Sequence, residues 1–175
     1  MILPIYLEPQ PILRQKTKVI KPEDISDSKF QKLIANMIAT MHQAKGLGLA
    51  APQIGLGQRL TVINLKEAID KNSLINFEAD VLVMINPYII KKTFKKNIIE
   101  EGCLSIPGVY GTVKRPAAVK IKYFDQSGNP QNLAADNFLA RVIQHEIDHL
   151  DGILFTDLVE EYSQNNRIIP DYPYI

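Results

Sequence analysis

Apolar residues recur at helical spacing in two stretches of the chain. Phe30, Leu33, Ile34, Met37, Ile38 and Met41 fall at offsets 0, 3, 4, 7, 8 and 11, which predicts an amphipathic helix with one buried stripe. Asp24 to Asp27 offer capping side chains ahead of it, and Gly46 is a natural stop. The second stretch runs from Asp136, a candidate cap, to Leu150, with Gly152 to end it. Here Phe138, Val142, His145 and His149 fall at offsets 0, 4, 7 and 11. Two histidines and two apolar side chains therefore share one helical face.

Shorter apolar runs predict strands. Gln58 to Asn64 reads as a strand through Leu60, Val62 and Ile63, and Val81 to Ile85 as a buried strand ending at Asn86-Pro87. Tyr88 to Glu101 reads as a hairpin with Lys91, Lys92, Thr93, Phe94, Lys95 and Lys96 at its exposed tip. Residues 109–124 hold two strand-like pieces around Pro116, and Ser127 to Pro130 is a turn. Residues 1–12 are expected to be extended, with Pro4, Pro9 and Pro11 as punctuation. Residues 65–79 read as a loop with one helical turn, and the tail, with Pro170 and Pro173, holds no long helix. There is no repeat and no linker. The expectation is one catalytic domain over residues 1–175, of α+β class, with small antiparallel or mixed sheets packed around a central helix.

Composition narrows the class. A chain of 175 residues, 46% of them hydrophobic, can bury a real core. Twenty basic and nineteen acidic residues give a net charge of +1, which lacks the basic excess of a dedicated nucleic-acid binder and argues against DNA as a partner. No run is apolar for long enough to span a bilayer, and the start lacks the pattern of a signal peptide. The single cysteine, Cys103, has no internal disulfide partner. A cytoplasmic, monomeric chain with no membrane contact is expected.

The central motif is Gln144-His145-Glu146-Ile147-Asp148-His149. Histidines four apart on a helix can hold one metal ion, with the glutamate beside it to move protons. Two imidazoles leave a metal under-coordinated. No histidine follows His149, and Glu160 and Glu161 lie past the helix without a supporting motif. His42 near the end of the first helix has no partner at ligand spacing and reads as a surface residue. Cys103 is the better third ligand, because a thiolate binds zinc or ferrous iron strongly. The same cysteine could instead be a small buried hydrophobe or a nucleophile, though the nucleophile leaves the second histidine and the glutamate without a task. A Cys-His-His set keeps a fourth position open for water, whose pKa falls to roughly 7 on the metal. Glu146 can then pass a proton to a leaving amine. Gln53 and the Leu104 N–H are plausible donors to the oxyanion.

Three segments occur in order: Gly46-Leu47-Gly48-Leu49-Ala50-Ala51-Pro52-Gln53, Glu101-Gly102-Cys103-Leu104-Ser105, and the histidine motif. Together they resemble the signature motifs of the peptide deformylases, from the N-terminal segment to about Thr156. The resemblance implies removal of the formyl group from the N-terminal formyl-methionine of nascent polypeptides, with release of formate. It implies that Cys103, His145 and His149 bind the metal, usually Fe(2+), with Zn(2+) or Ni(2+) able to take the site. It makes Glu146 the general acid/base, with Gln53 and Leu104 N–H stabilising the tetrahedral intermediate. Gly48 and Gly102 would offer backbone groups to the substrate, and Leu47, Ile99, Glu101, Phe138 and Val142 would surround the methionine side chain. Many relatives end in a long helix that this tail does not resemble, so ribosome docking through such a helix is not expected here.

Two rivals remain at this point. A zincin-like metallopeptidase cleaving internal peptide bonds would lack its downstream ligand, and a non-catalytic metal module would lack a fourth protein ligand. The four-lysine cluster is expected to be a solvated tip, with transient contact to ribosomal RNA as the alternative.

Overall fold

The structure, a computed structural model, describes residues 1–69 and 79–163. Within them the chain is α+β, with four α-helices and two antiparallel sheets. The larger sheet has the order β1 (Gly48–Ala50), β2 (Leu60–Asn64), β3 (Val81–Lys92), β6 (Ala118–Phe124), β7 (Pro130–Asp136). The smaller has the order β4 (Lys96–Cys103), β5 (Ile106–Pro116), β8 (Val159–Tyr162). The helices are α1 (Pro22–Ile25), α2 (Ser28–Gln43), α3 (Leu65–Ala68) and α4 (Asn137–Leu150).

Each long helix covers one face of the larger sheet. Phe30, Ile34, Met37 and Met41 of α2 pack with Leu60, Val62, Val83 and Ile85. Leu139, Val142, Ile143 and Ile147 of α4 pack with Ile63, Leu82, Met84 and Ile121. Alternate residues of β2 and β3 thus serve opposite cores, which is why Val81 to Ile85 reads as an unbroken apolar run. The far side of α4 meets β5 of the smaller sheet, so the helix lies where both sheets reach it.

The Asp27 side chain caps α2, accepting from Lys29 N at 2.6 Å. The stop differs from expectation. The helix ends at Gln43, and Lys45 takes the left-handed turn at φ 52. Lys45 N donates to His42 O and Gly46 N to Met41 O, a Schellman ending. Gly46 is needed for space instead, since a Cβ there would come 2.8 Å from Leu104 Cδ1. Asp136 stands at the N-cap position of α4 but makes no side-chain cap bond.

Three strand expectations need correction. Asn86-Pro87 does not end β3. Asn86, at φ 52, exchanges hydrogen bonds with Ile20 N and O through its side chain, and the β3–β6 register shifts there. It is a bulge, which a run of apolar residues followed by Asn-Pro does not distinguish from an end. Nor is Tyr88 to Glu101 a hairpin. β3 pairs with β6 while β4 pairs with β5, and Thr93 to Lys95 carries the chain from one sheet to the other. β7 and β8 were not expected as strands at all. Pro11–Arg14 forms a 3-10 turn within the segment expected to be extended. α3 supplies the helical turn expected in residues 65–79; residues 70–78, and the tail from 164 onward, lie outside the described residues. Among the described residues no helix is long and apolar enough to cross a membrane.

Candidate active site

α4 sets His145 and His149 one turn apart, with ring centroids 4.9 Å from each other. β4 ends on Cys103 and brings its sulfur to the same place. The ligand atoms of Cys103, His145 and His149 all lie within 4.8 Å of one another, and Cys103 Sγ is 3.2 Å from His149 Nε2. One thiol and two imidazoles make a donor set suited to a borderline-soft divalent ion. His42 is exposed at the end of α2, away from this cluster.

The orientation of His145 is set from behind. Its Nδ1 donates to Glu101 Oε2 at 2.8 Å, which leaves Nε2 to face the cluster. Glu101 Oε1 accepts from Arg115 Nε at 2.6 Å and from Arg141 Nη1 at 2.8 Å, while Oε2 also accepts from Arg115 Nη2 at 3.0 Å. Arg115 pairs in turn with Asp148, and Arg141 holds Val113 O and Asn97 O. Burial alone would raise the Glu101 carboxyl, but hydrogen bonds and charge from His145 and Arg115 hold it well below the usual carboxylate range. Burial, then the charges of His145 and Arg115, keep His149 well below its ordinary value and so neutral. Burial also acts to lower His145, but its hydrogen bonds to Cys103 and Glu101 prevail and raise it to about 10.

Gln53 sits in the 3-10 turn Ala51–Ile54 that follows β1, and it is buried. Its Oε1 accepts from Ala50 N at 2.8 Å, which fixes the amide and turns Nε2 toward Cys103 Sγ at 3.5 Å and Ser105 Oγ at 3.2 Å. Glu146 is buried on α4, with Oε2 3.1 Å from Thr61 Oγ1. Burial pushes its carboxyl up to about 7, against the lowering effects of His145 and the Thr61 hydrogen bond. The Glu146 carboxyl presses on Gly48, where a Cβ would stand 2.3 Å from Oε1. Gly102 is equally tight, with a Cβ there 2.5 Å from the Tyr110 ring.

A cavity of about 410 Å³ opens onto these groups. Leu47, Gly48, Gln53, Glu101, Gly102, Cys103, Leu104, Phe138, Val142, His145 and Glu146 all line it. Ile99 is not among its lining residues; it stands two positions before Glu101 on β4, opposite Val113. Glu101 reaches the cavity, but its carboxylate is taken up by two arginines and His145, so it steadies the site as much as it walls it. His149 is buried behind the wall. Sequence reasoning missed Thr61, Arg115, Arg141 and Tyr110. Only Arg141 carried a signal, standing one helical turn before His145 on α4.

A family model described as Polypeptide deformylase matches residues 2–165. The peptide deformylase of Prochlorococcus marinus strain AS9601 is 45% identical over 168 residues, covering 94% of this chain and 77% of that protein. That of Brucella suis biovar 1 strain 1330 is 42% identical, covering 94% and 88%. A crystal structure of a Synechococcus elongatus peptide deformylase in complex with actinonin superposes with a TM-score of 0.81 at 44% identity, covering 90% of this chain and 80% of that one. A class I type b peptide deformylase from Acinetobacter baumannii, bound to Met-Ala-Ser, superposes with a TM-score of 0.80 at 33% identity, covering 90% and 99%.

Proposed function

The chain belongs to the polypeptide deformylase family, and from that premise we propose that the cavity is where the formyl group leaves the N-terminus of a formyl-methionyl nascent polypeptide. The family activity is metal-dependent deformylation, and an endopeptidase reading finds no support in these matches. Cys103, His145 and His149, on the central helix and the strand beside it, hold one divalent ion. Fe(2+) is the native ion in this reading, with Zn(2+) or Ni(2+) as substitutes. The ion supplies Lewis-acid polarisation of the formyl carbonyl and a lowered pKa for water.

The chain's own groups do the rest. Glu146, with a carboxyl near neutrality, takes the proton of the attacking water and delivers it to the leaving nitrogen, so that formate and a free amine result. The Gln53 amide and the Leu104 N–H donate to the oxygen on which charge develops. Gly48 and Gly102 offer backbone groups to the substrate chain, and Leu47, Phe138 and Val142 receive the methionine side chain. Ile99 has no contact with the cavity to support a place in that pocket. The observation that carries this reading is the convergence of Gln53, Cys103, His145 and Glu146 on one cavity, with His149 behind its wall and the three candidate ligand atoms within 4.8 Å of one another.

The test is hydrolysis of formyl-Met-Ala-Ser beside a peptide with only internal amides, with protein purified anaerobically and its ions counted. Formate release that follows iron content is the expected result; preferential internal cleavage would overturn it. A cytoplasmic monomer with transient ribosome contact completes the proposal, and light scattering checks the monomer.

A further inference from the structure

Total charge is nearly balanced, with twenty basic and nineteen acidic residues, yet the fold segregates part of it. Lys91 stands directly opposite Lys120 across the β3–β6 ladder, and Tyr88 opposite Lys122. These four side chains are exposed and share one face of the sheet, the one α2 covers elsewhere, while Ile121 between Lys120 and Lys122 is fully buried on the other. Lys92, Lys95 and Lys96 crowd the end of that face, where the chain passes between the sheets. Like charges paired across a ladder destabilise it. Among the described residues none of these six lysines has an ion-pair partner.

A hollow of about 380 Å³ lies among them, lined by Lys91, Lys92 and Lys120, with Ala118 and Ala134 in its wall and Asp136 as its one carboxylate. Phe94, in the turn flanked by four lysines, is fully exposed, and Tyr88 is 51% exposed. Among the described residues none buries the Phe94 ring.

We propose that this face binds single-stranded RNA, its lysines against phosphates and Phe94 and Tyr88 stacked on bases. A recess between cations suits single nucleotide units better than a flat lipid surface does. The choice of RNA over lipid also rests on the deformylase reading, since a nascent chain is presented by an RNA-rich particle. The surface itself does not depend on that reading. β4 runs from Lys96 to Cys103, so at roughly 3.3 Å per residue the patch lies about 23 Å from the ligand cluster. Bound RNA would leave the cavity mouth free.

The full chain is titrated with a labelled single-stranded RNA oligonucleotide at several salt concentrations. The log of affinity should fall with the log of salt at a slope of about −3 to −4, as four to six phosphate contacts require. Replacing Lys91, Lys92, Lys95 and Lys96 together by Gln should weaken binding by roughly tenfold or more. Phe94→Ala should weaken it roughly tenfold with the slope unchanged. Both variants should deformylate formyl-Met-Ala-Ser at the parent rate. Absence of RNA binding overturns the proposal. So does binding that neither variant disturbs, or tighter binding to phosphatidylglycerol vesicles or polyglutamate than to RNA. A parent protein that binds RNA but leaves formyl-Met-Ala-Ser intact would sink the deformylase reading and spare this one.

Discussion

At the scale of single residues, the site depends on close approaches that side-chain type alone does not reveal. Gly48 lies under Glu146, and the Cβ of Gly48→Ala would need the carboxylate to move. Displacing a reacting group by about 1 Å costs on the order of a hundredfold in rate, so kcat on formyl-Met-Ala-Ser should drop by about that factor while bound metal is retained. Glu146→Ala should keep the ion and lose roughly a hundredfold or more in kcat; a near-parental rate would remove the proton-transfer role. Titration by calorimetry in buffers of different ionisation enthalpy should show proton release on metal binding near neutral pH. His145 is held protonated there, with its pKa raised to about 10, and a ligand nitrogen must give up its proton. Cys103 and His145 stood out because the chain holds one cysteine and three histidines, whereas Glu146 stood out by its place between two histidines and Gln53 by its place at the end of the glycine-alanine segment. Thr61 did not, because one threonine in a strand looks the same whether or not its hydroxyl reaches a carboxylate 85 positions away.

At the scale of elements, the joint between α4 and the smaller sheet is the buried set Glu101, Arg115 and Arg141, with the half-buried Asp148 at its edge. Arg141→Met leaves Glu101 with fewer donors in a buried place, and breaking such a pair costs about 3 kcal/mol; urea midpoints of metal-free protein would measure it. The same set predicts acid sensitivity. The folded Glu101 carboxyl lies well below its ordinary value of 4.5, so its stabilisation is complete above about that pH. It is lost as pH falls through the folded value, because the unfolded state binds the proton first. Glu101→Gln should flatten that limb in metal-free protein. The helices α2 and α4 were legible from period alone, whereas β3 and β4 were merged into one hairpin. A long two-stranded ribbon that bends between two sheets and a hairpin have the same local composition, and only pairing with β5 and β6 separates them.

At the scale of the whole molecule, the three proposed ligands and their supports come from distant parts of the chain: Gln53 after β1, Cys103 at the end of β4, and the histidines on α4. The order of these segments identified the family, but their convergence depends on the two sheets meeting α4, which no local pattern encodes. An ion held by Cys103 and the two histidines would be a staple between the smaller sheet and the helix. An ion bound only by the folded state adds about 4 kcal/mol when free ion is a thousand times its Kd. Chelation should therefore lower the midpoint of thermal unfolding, and added zinc should restore it, since one thiol and two imidazoles suit zinc as well as ferrous iron. In Cys103→Ser the sulfur that would tie β4 to α4 through the ion is gone, so added zinc should raise the midpoint far less than in the parent. An equal rise in both proteins would mean that the histidines alone hold the ion and that β4 is not tied through it.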